Sequence, residues 1–254
     1  MIKIENTITP SPEQWIAIIL GTRNPLNSWE KSDSGYGCDE HETNCIHCKY
    51  YDDCIHGHTR KFVIGSNDKD LMKRLRNAGT DHRKFMRMIS VYVDITAPLY
   101  WWKEFDTYKI GTVANSCSTM HKIHANEFTL DDFSHEYLID DWVYGACCIT
   151  ERHDEAVSNF NYAFLPMDIL DATIRMLNVA RELYLDTKNK KYWWQMIQLL
   201  PSSYNQKRTV MLNYEVLADM YKSRKDHKLD EWHTFCDWCK TLPYPELITG
   251  EFEE

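Results

Sequence analysis

The 254-residue chain predicts an α+β fold on three observations: a strongly alternating strand near residue 90, a second half patterned at helical spacing, and no internal repeat, low-complexity tract or Gly/Ser linker. One domain spanning 1–254 is the economical reading, long enough for a sizeable core without staples. Hydrophobic residues make up 43% and charged residues 26%, too apolar for disorder.

In chain order, Ser11-Pro12 opens a helix over 11–20 and Gly21 closes it. Residues 21–62 carry no sustained period and read as a loop. Ser66, early aspartates, Leu71, Met72 and Leu75, and a closing Gly79 make a helix whose Lys69–Arg76 cations cover its surface face. In FMRMISVYVDI, Phe85, Ile89, Val91, Val93 and Ile95 share one face at period 2. Ala97-Pro98 ends that strand, and LYWWKEFDTYKI follows as a helix to Ile110 carrying Trp101, Trp102 and Phe105. Residues 111–121, GTVANSCSTMH, are small and polar, a loop of the kind that lines a site. Beyond it lie four helical patterns: Met167–Thr187, YWWQMIQLLP, RTVMLNYEVLADMYKSR and LDEWHTFCDWCKTLP, punctuated by Pro201 and Pro243.

Net charge is −9, from 38 acidic against 29 basic residues, which disfavours duplex nucleic acid as a partner. A small anion is compatible with that balance, since two or three converging cations bind one phosphate. The longest apolar run, Trp15–Leu20, falls far short of the ~20 residues of a membrane span. MIKIENTITP has no apolar core of a secretory signal, so the expected location is cytoplasmic, with no membrane partner.

Nine cysteines without a signal sequence point to reduced thiols or metal ligands. Cys38, Cys45, Cys48 and Cys54 fall on one short insertion at about 35–60, and the Cys45-x-x-Cys48 pair suits chelation of a tetrahedral zinc. A cubane cluster and free thiols are the alternatives. Cys236 and Cys239 share a helix face and read as core. The tryptophans at 101, 102, 193 and 194 read as core or subunit interface. Cys117 has no identifiable base and is not read as a nucleophile. Taken alone, Arg224 beside Lys222 and Lys225 is a solvated charge and Asn213 a neutral mid-helix residue.

Ala97-Pro98 entering an aromatic helix, followed by a polar loop with Asn115-Ser-Cys-Ser118, resembles the flavin-dependent thymidylate synthases. In that family a histidine precedes the strand, matched by His82, and Leu-Pro opens a helix with an Asn twelve and an Arg a further eleven residues on, as in Leu200-Pro201, Asn213 and Arg224. The resemblance covers about 64–240 and implies an antiparallel sheet flanked by helices, FAD as cofactor and a homotetramer. It also implies methylation of dUMP to dTMP with methylenetetrahydrofolate and reduced flavin, NADPH being the flavin reductant. It places His82, Tyr108, Lys109 and Asn213 beside the flavin, and Glu104, Asn115, Ser116, Ser118 and Arg224 beside the nucleotide, with no protein nucleophile.

The sequence departs from the family's signature: Thr107-Tyr108-Lys109 stands for Arg-His-Arg, Glu104 for Gln, Thr119 or Met120 for the loop Arg, and Ile197 for another Arg. Each lost guanidinium removes a bidentate donor, and Lys109 returns only a point charge. The alternative is a relative that kept the fold and lost the reaction, acting as a nucleotide-binding or structural protein with a metal-stapled loop.

Overall fold

Alternation along residues 90–98 organises the sheet: Val91, Val93, Ile95 and Ala97 are fully buried while Tyr92 between them faces out. In this computed structural model residues 2–37, 61–140, 147–148 and 163–252 are described. The strands are β1 (Lys3–Ile8), β2 (Gly35–Gly37), β3 (Lys61–Val63), β4 (Ser90–Pro98), β5 (Val113–Ser116), β6 (Cys147–Cys148), β7 (Ala163–Phe164) and β8 (Asn205–Asn213). The helices are α1 (Pro12–Arg23), α2 (Ser66–Asn77), α3 (Leu99–Phe105), α4 (Pro166–Thr187), α5 (Lys190–Leu199), α6 (Tyr214–Arg224), α7 (Asp230–Lys240) and α8 (Glu246–Thr249). A four-stranded sheet runs in the order β1-β4-β8-β5, and β2 pairs with β3, and β6 with β7, antiparallel. The α+β expectation holds. No helix among the described residues is long and apolar enough to cross a membrane.

The chain divides into two compact units. The larger comprises Ile4–Ile95, Asp106–Asn115 and Thr209–Glu254. Its core holds Trp15, Met72, Met86, Tyr214, Trp232 and Phe235. α1 starts on a reciprocal capping box: Gln14 N–H donates to Ser11 Oγ at 3.3 Å, and Ser11 N–H to Gln14 Oε1 at 2.8 Å. α1 runs through Gly21 to Arg23 rather than stopping there. Gly21 lies close against Met88: a Cβ at that position would lie 3.1 Å from Sδ, so the flexible Met88 side chain would have to give way by a few tenths of an ångström. β2 and β3 bracket residues 38–60, with Tyr36 opposite Phe62 and their rings 6.2 Å apart. Cys38, Cys45, Cys48 and Cys54 all lie outside the described residues, and the described residues contain no metal-capable cluster of their own.

The smaller unit comprises Met1–Lys3, Thr96–Phe105 and Ser116–Arg208. The hydrophobic stripes of α4 and α5 meet in a core of Leu170, Ile174, Leu177, Ala180 and Met196, joined by Ile123, Phe128 and Phe133. α3 buries Trp101, Trp102 and Phe105, with ring centroids 5.0–5.2 Å apart. The core reading therefore holds for Trp101 and Trp102, whereas Trp193 is half-buried and Trp194 exposed.

Four boundaries differ from the sequence reading besides that of α1. Residues 84–88 form a 3₁₀ turn, so the strand begins at Ser90 and Phe85 is buried ahead of it. α3 ends at Phe105, leaving Tyr108 and Lys109 on a turn. Residues 113–116 form the edge strand β5, exposed along its whole length. Most consequential, 205–213 is a strand, so the first six residues of the helix expected over 208–224 are extended. Val210 and Leu212 alternate inward, β-branched Thr209-Val210 favours extension, and Asn213 caps the helix that follows instead of lying within it.

Candidate functional site

Asn213 ends β8 and starts α6. Its Oδ1 accepts from Val216 N–H at 3.1 Å, satisfying one of the orphan donors of the helix start. Its Nδ2 faces the carbonyl of Gly111 at 3.4 Å. Gly111 has φ +87, and a Cβ there would come within 2.8 Å of both Asn213 Nδ2 and Val216 Cγ2. Only glycine permits this approach, which fixes the turn carrying Tyr108 against the base of α6. The same turn is closed from within by Thr112 Oγ1 donating to the Tyr108 carbonyl at 2.9 Å.

At the other end of α6, Arg224 is half-buried. Its Nε donates to Tyr108 Oη at 3.0 Å, and its guanidinium carbon lies 4.8 Å from the centroid of the fully buried Trp232 ring. Tyr108 meets Trp232 edge-on at 6.4 Å, and His227 meets it from another side at 6.3 Å. A guanidinium held over an indole by a phenol is restrained in plane and direction, which is what fork-like recognition of a planar ligand edge requires. Arg224 is thus a positioned cation and not a solvated surface charge.

The polar loop belongs to the smaller unit from Ser116 onward. Ser118 Oγ accepts from Met120 N–H at 3.2 Å and His121 N–H at 2.8 Å, closing a self-contained turn. Cys117 is exposed, its N–H donating to the Lys207 carbonyl at 2.9 Å and its carbonyl accepting from Gln206 Nε2 at 2.7 Å. Gln206 Oε1 in turn accepts from Arg208 Nε at 3.0 Å, and the Arg208 guanidinium lies 4.1 Å over the Trp102 ring. Arg208 is a positioned cation beside this loop that sequence reasoning passed over.

The remaining expected residues are dispersed. Lys109 and Asn115 are exposed in the larger unit, as is His82 on the turn whose N–H donates to Gly79. In the smaller unit, Ser116 is exposed at the sheet edge and Glu104 is half-buried on α3. Tyr108, Asn213 and Arg224, drawn from two distant sequence blocks, are brought onto one helix and the turn packed against it. For a flavin, the donor set fits in part: the Tyr108 phenol, Lys109 and His82 are accessible, while the Asn213 amide is committed to the helix start.

No protein-family model matches the chain, and no curated protein matches it in sequence. Among solved structures it is similar to the thymidylate synthase ThyX from Helicobacter pylori, crystallised with FAD and dUMP, at TM-score 0.58 and 14% identity over 98% of both chains. It is also similar to the UMP/dUMP methylase PolB from Streptomyces cacaoi bound with 5-Br dUMP, at TM-score 0.51 and 13% identity over 98% of this chain and 94% of that one. What is shared is the fold. It extends over nearly the whole of each chain, which agrees with the family resemblance read from the two sequence blocks.

Proposed function

We propose that the chain is a divergent flavin-dependent methylase of a uridine nucleotide, converting dUMP to dTMP with methylenetetrahydrofolate as carbon source, in a homotetramer that binds FAD and is reduced by NADPH. The observation that carries this reading is the Tyr108–Arg224 contact. Tyr108 occupies the flavin-side position of the family's signature and Arg224 the nucleotide-side position, and they meet at 3.0 Å. The full-length likeness to ThyX and PolB supports the same reading at the level of fold.

In this reading the flavin supplies the hydride when bound, and the protein binds and orients. Arg224, held by Tyr108 and Trp232, presents guanidinium hydrogens to the pyrimidine edge. The family resemblance also assigns Asn115, Ser116, Ser118 and Glu104 to the nucleotide, and Tyr108, Lys109 and His82 to the flavin. Asn213 acts as a positioning residue, through the turn at Gly111. A structural zinc on Cys38, Cys45, Cys48 and Cys54 belongs to the same proposal.

A second reading, a non-catalytic nucleotide-binding relative, is favoured by one specific feature: the Arg-His-Arg position retains a single exposed lysine, Lys109. The absorption spectrum of protein purified anaerobically, incubated with FAD and dUMP and desalted, separates the two. A retained flavin band that shifts with dUMP, together with rescue of a thymidine-requiring strain, is expected for the enzyme. A colourless, folded protein that fails to rescue supports the relative.

A further inference from the structure

We propose that the groove between the end of α1 and the outer face of α2 is a binding site for a phosphate or diphosphate group, separate from the site around Arg224. The groove encloses about 560 Å³ and is lined by Arg23, Lys31, Asn67, Asp70, Lys73 and Arg74. Four of these six are cations and one is an acid, in a chain whose net charge is −9. No aromatic or aliphatic residue lines it, so nothing there would hold a base or a ring.

Arg23 is the anchor. Its side chain is 4% exposed, with Nε donating to Asp68 at 2.5 Å and Nη1 to the Ser28 carbonyl at 3.2 Å. Its Nη2 is buried and has no hydrogen-bond partner among the described residues. A buried donor of a charged group left unmatched is costly, and an oxyanion oxygen is the acceptor that matches it best. Asp68 does not fill that role. Its second oxygen already takes Ser32 Oγ at 2.7 Å, Ser34 Oγ at 2.5 Å and the N–H groups of Asp33 and Ser34, each at 3.2 Å.

The other cations are uncommitted to carboxylates. Lys31, Lys73 and Arg74 form no ion pair among the described residues. Lys73 touches only the Phe252 ring, at 4.9 Å, and Arg74 Nε reaches only the Asp70 carbonyl, at 3.4 Å. The start of α2 contributes nothing, because the N–H groups of Asn67 and Asp68 are already taken by Asp33 at 3.0 and 3.2 Å. The site therefore rests on the side chains that line the groove, four cations against the single carboxylate of Asp70.

The test is calorimetric titration of the full chain with inorganic pyrophosphate, with orthophosphate and ADP as parallel arms. Pyrophosphate is expected to bind wild type, and the surface double variant Lys73→Gln/Arg74→Gln to bind it at least tenfold more weakly with an unchanged unfolding midpoint. A nucleotide binding no more tightly than pyrophosphate identifies an inorganic anion as the ligand. Tighter binding of ADP that the double variant weakens to the same extent identifies a diphosphate carried on a nucleotide whose base lies outside the groove, and both results uphold the site. Absence of binding to any probe, or equal affinity in the double variant, overturns it. The double variant should keep the wild-type flavin response to dUMP, so failure here and failure of the proposed function are read independently.

Discussion

Arg224 and Tyr108 stand 116 positions apart in sequence and meet at 3.0 Å, the guanidinium Nε donating to the phenol oxygen. The bond is part of a triangle, since the same guanidinium stacks over Trp232 and the phenol ring meets that indole edge-on. Removing one side of the triangle leaves Arg224 on the indole. Tyr108→Phe is therefore expected to cost only about 1 kcal/mol, and Arg224→Ala about 1–2 kcal/mol because its packing goes too. A double-mutant cycle by chemical denaturation checks the coupling, expected at about 0.5–1 kcal/mol. In the proposed enzyme, Arg224→Lys loses dUMP affinity at least tenfold, because a point charge does not replace a stacked fork.

The Asn213 cap is separable from that triangle. Asn213→Ala removes the acceptor for Val216 N–H and is expected to destabilise by about 1 kcal/mol, while Asn213→Asp retains most of it. Gly111→Ala is expected to cost more, about 1–3 kcal/mol, since its left-handed φ and its contacts with Asn213 and Val216 both resist a methyl group. Urea midpoints rank the three. Were Gly111→Ala the mildest, the turn would not be anchored by this packing.

How far these features could be read in advance follows from their physical origin. Local signals carried well: the Ser11 capping box, the alternation of Val91, Val93 and Ile95, and the helical stripe of Leu170, Ile174 and Leu177 each encode their element within a few residues. The 205–213 strand is masked in the sequence because Met211, Leu212 and the residues after Asn213 satisfy a helical period when read together. Asn213 is the boundary, and an Asn flanked by apolar residues looks the same inside a helix as at its start. The Arg224–Tyr108 contact was legible only through the family spacing. Arg208 over Trp102 and the unmatched Arg23 Nη2 had no sequence signal, since both depend on which strand or helix end faces which neighbour.

Thiol reactivity should follow burial in the same way. Cys236 and Cys239 lie inward on α7, and burial pushes the Cys236 thiol up to about 11 and that of Cys239 well above its ordinary value. Cys117 is exposed on the loop after β5. Alkylation of native protein at pH 8 with peptide mass spectrometry is expected to modify Cys117 before Cys236 and Cys239, which react only after unfolding. Early labelling of Cys239 would contradict the packing of α7 described above.

The acid limit of stability should be set in part by Glu215. Burial alone would raise its carboxyl, but hydrogen bonds and charge from Arg87 and Arg83 outweigh that and hold it below the ordinary glutamate value. Its side chain is 10% exposed, so the pairing is only weakly screened by solvent. A carboxyl depressed on folding contributes stability that is present above its unfolded value, near 4.3, and is lost as pH falls through the lower folded value. Asp33 adds to the same window: its carboxyl is also lowered, the N–H groups of Asn67 and Asp68 overcoming burial. Glu215→Gln is expected to destabilise at pH 7 by about 1–3 kcal/mol, because Arg83 keeps only Asp219 as a partner. It should also flatten the loss of unfolding free energy between about pH 5 and 3, leaving the part that Asp33 supplies. Urea denaturation at pH 3, 4, 5 and 7 measures both effects. A variant whose acid slope matched wild type would show that the two arginines do not bind Glu215 more tightly in its charged form.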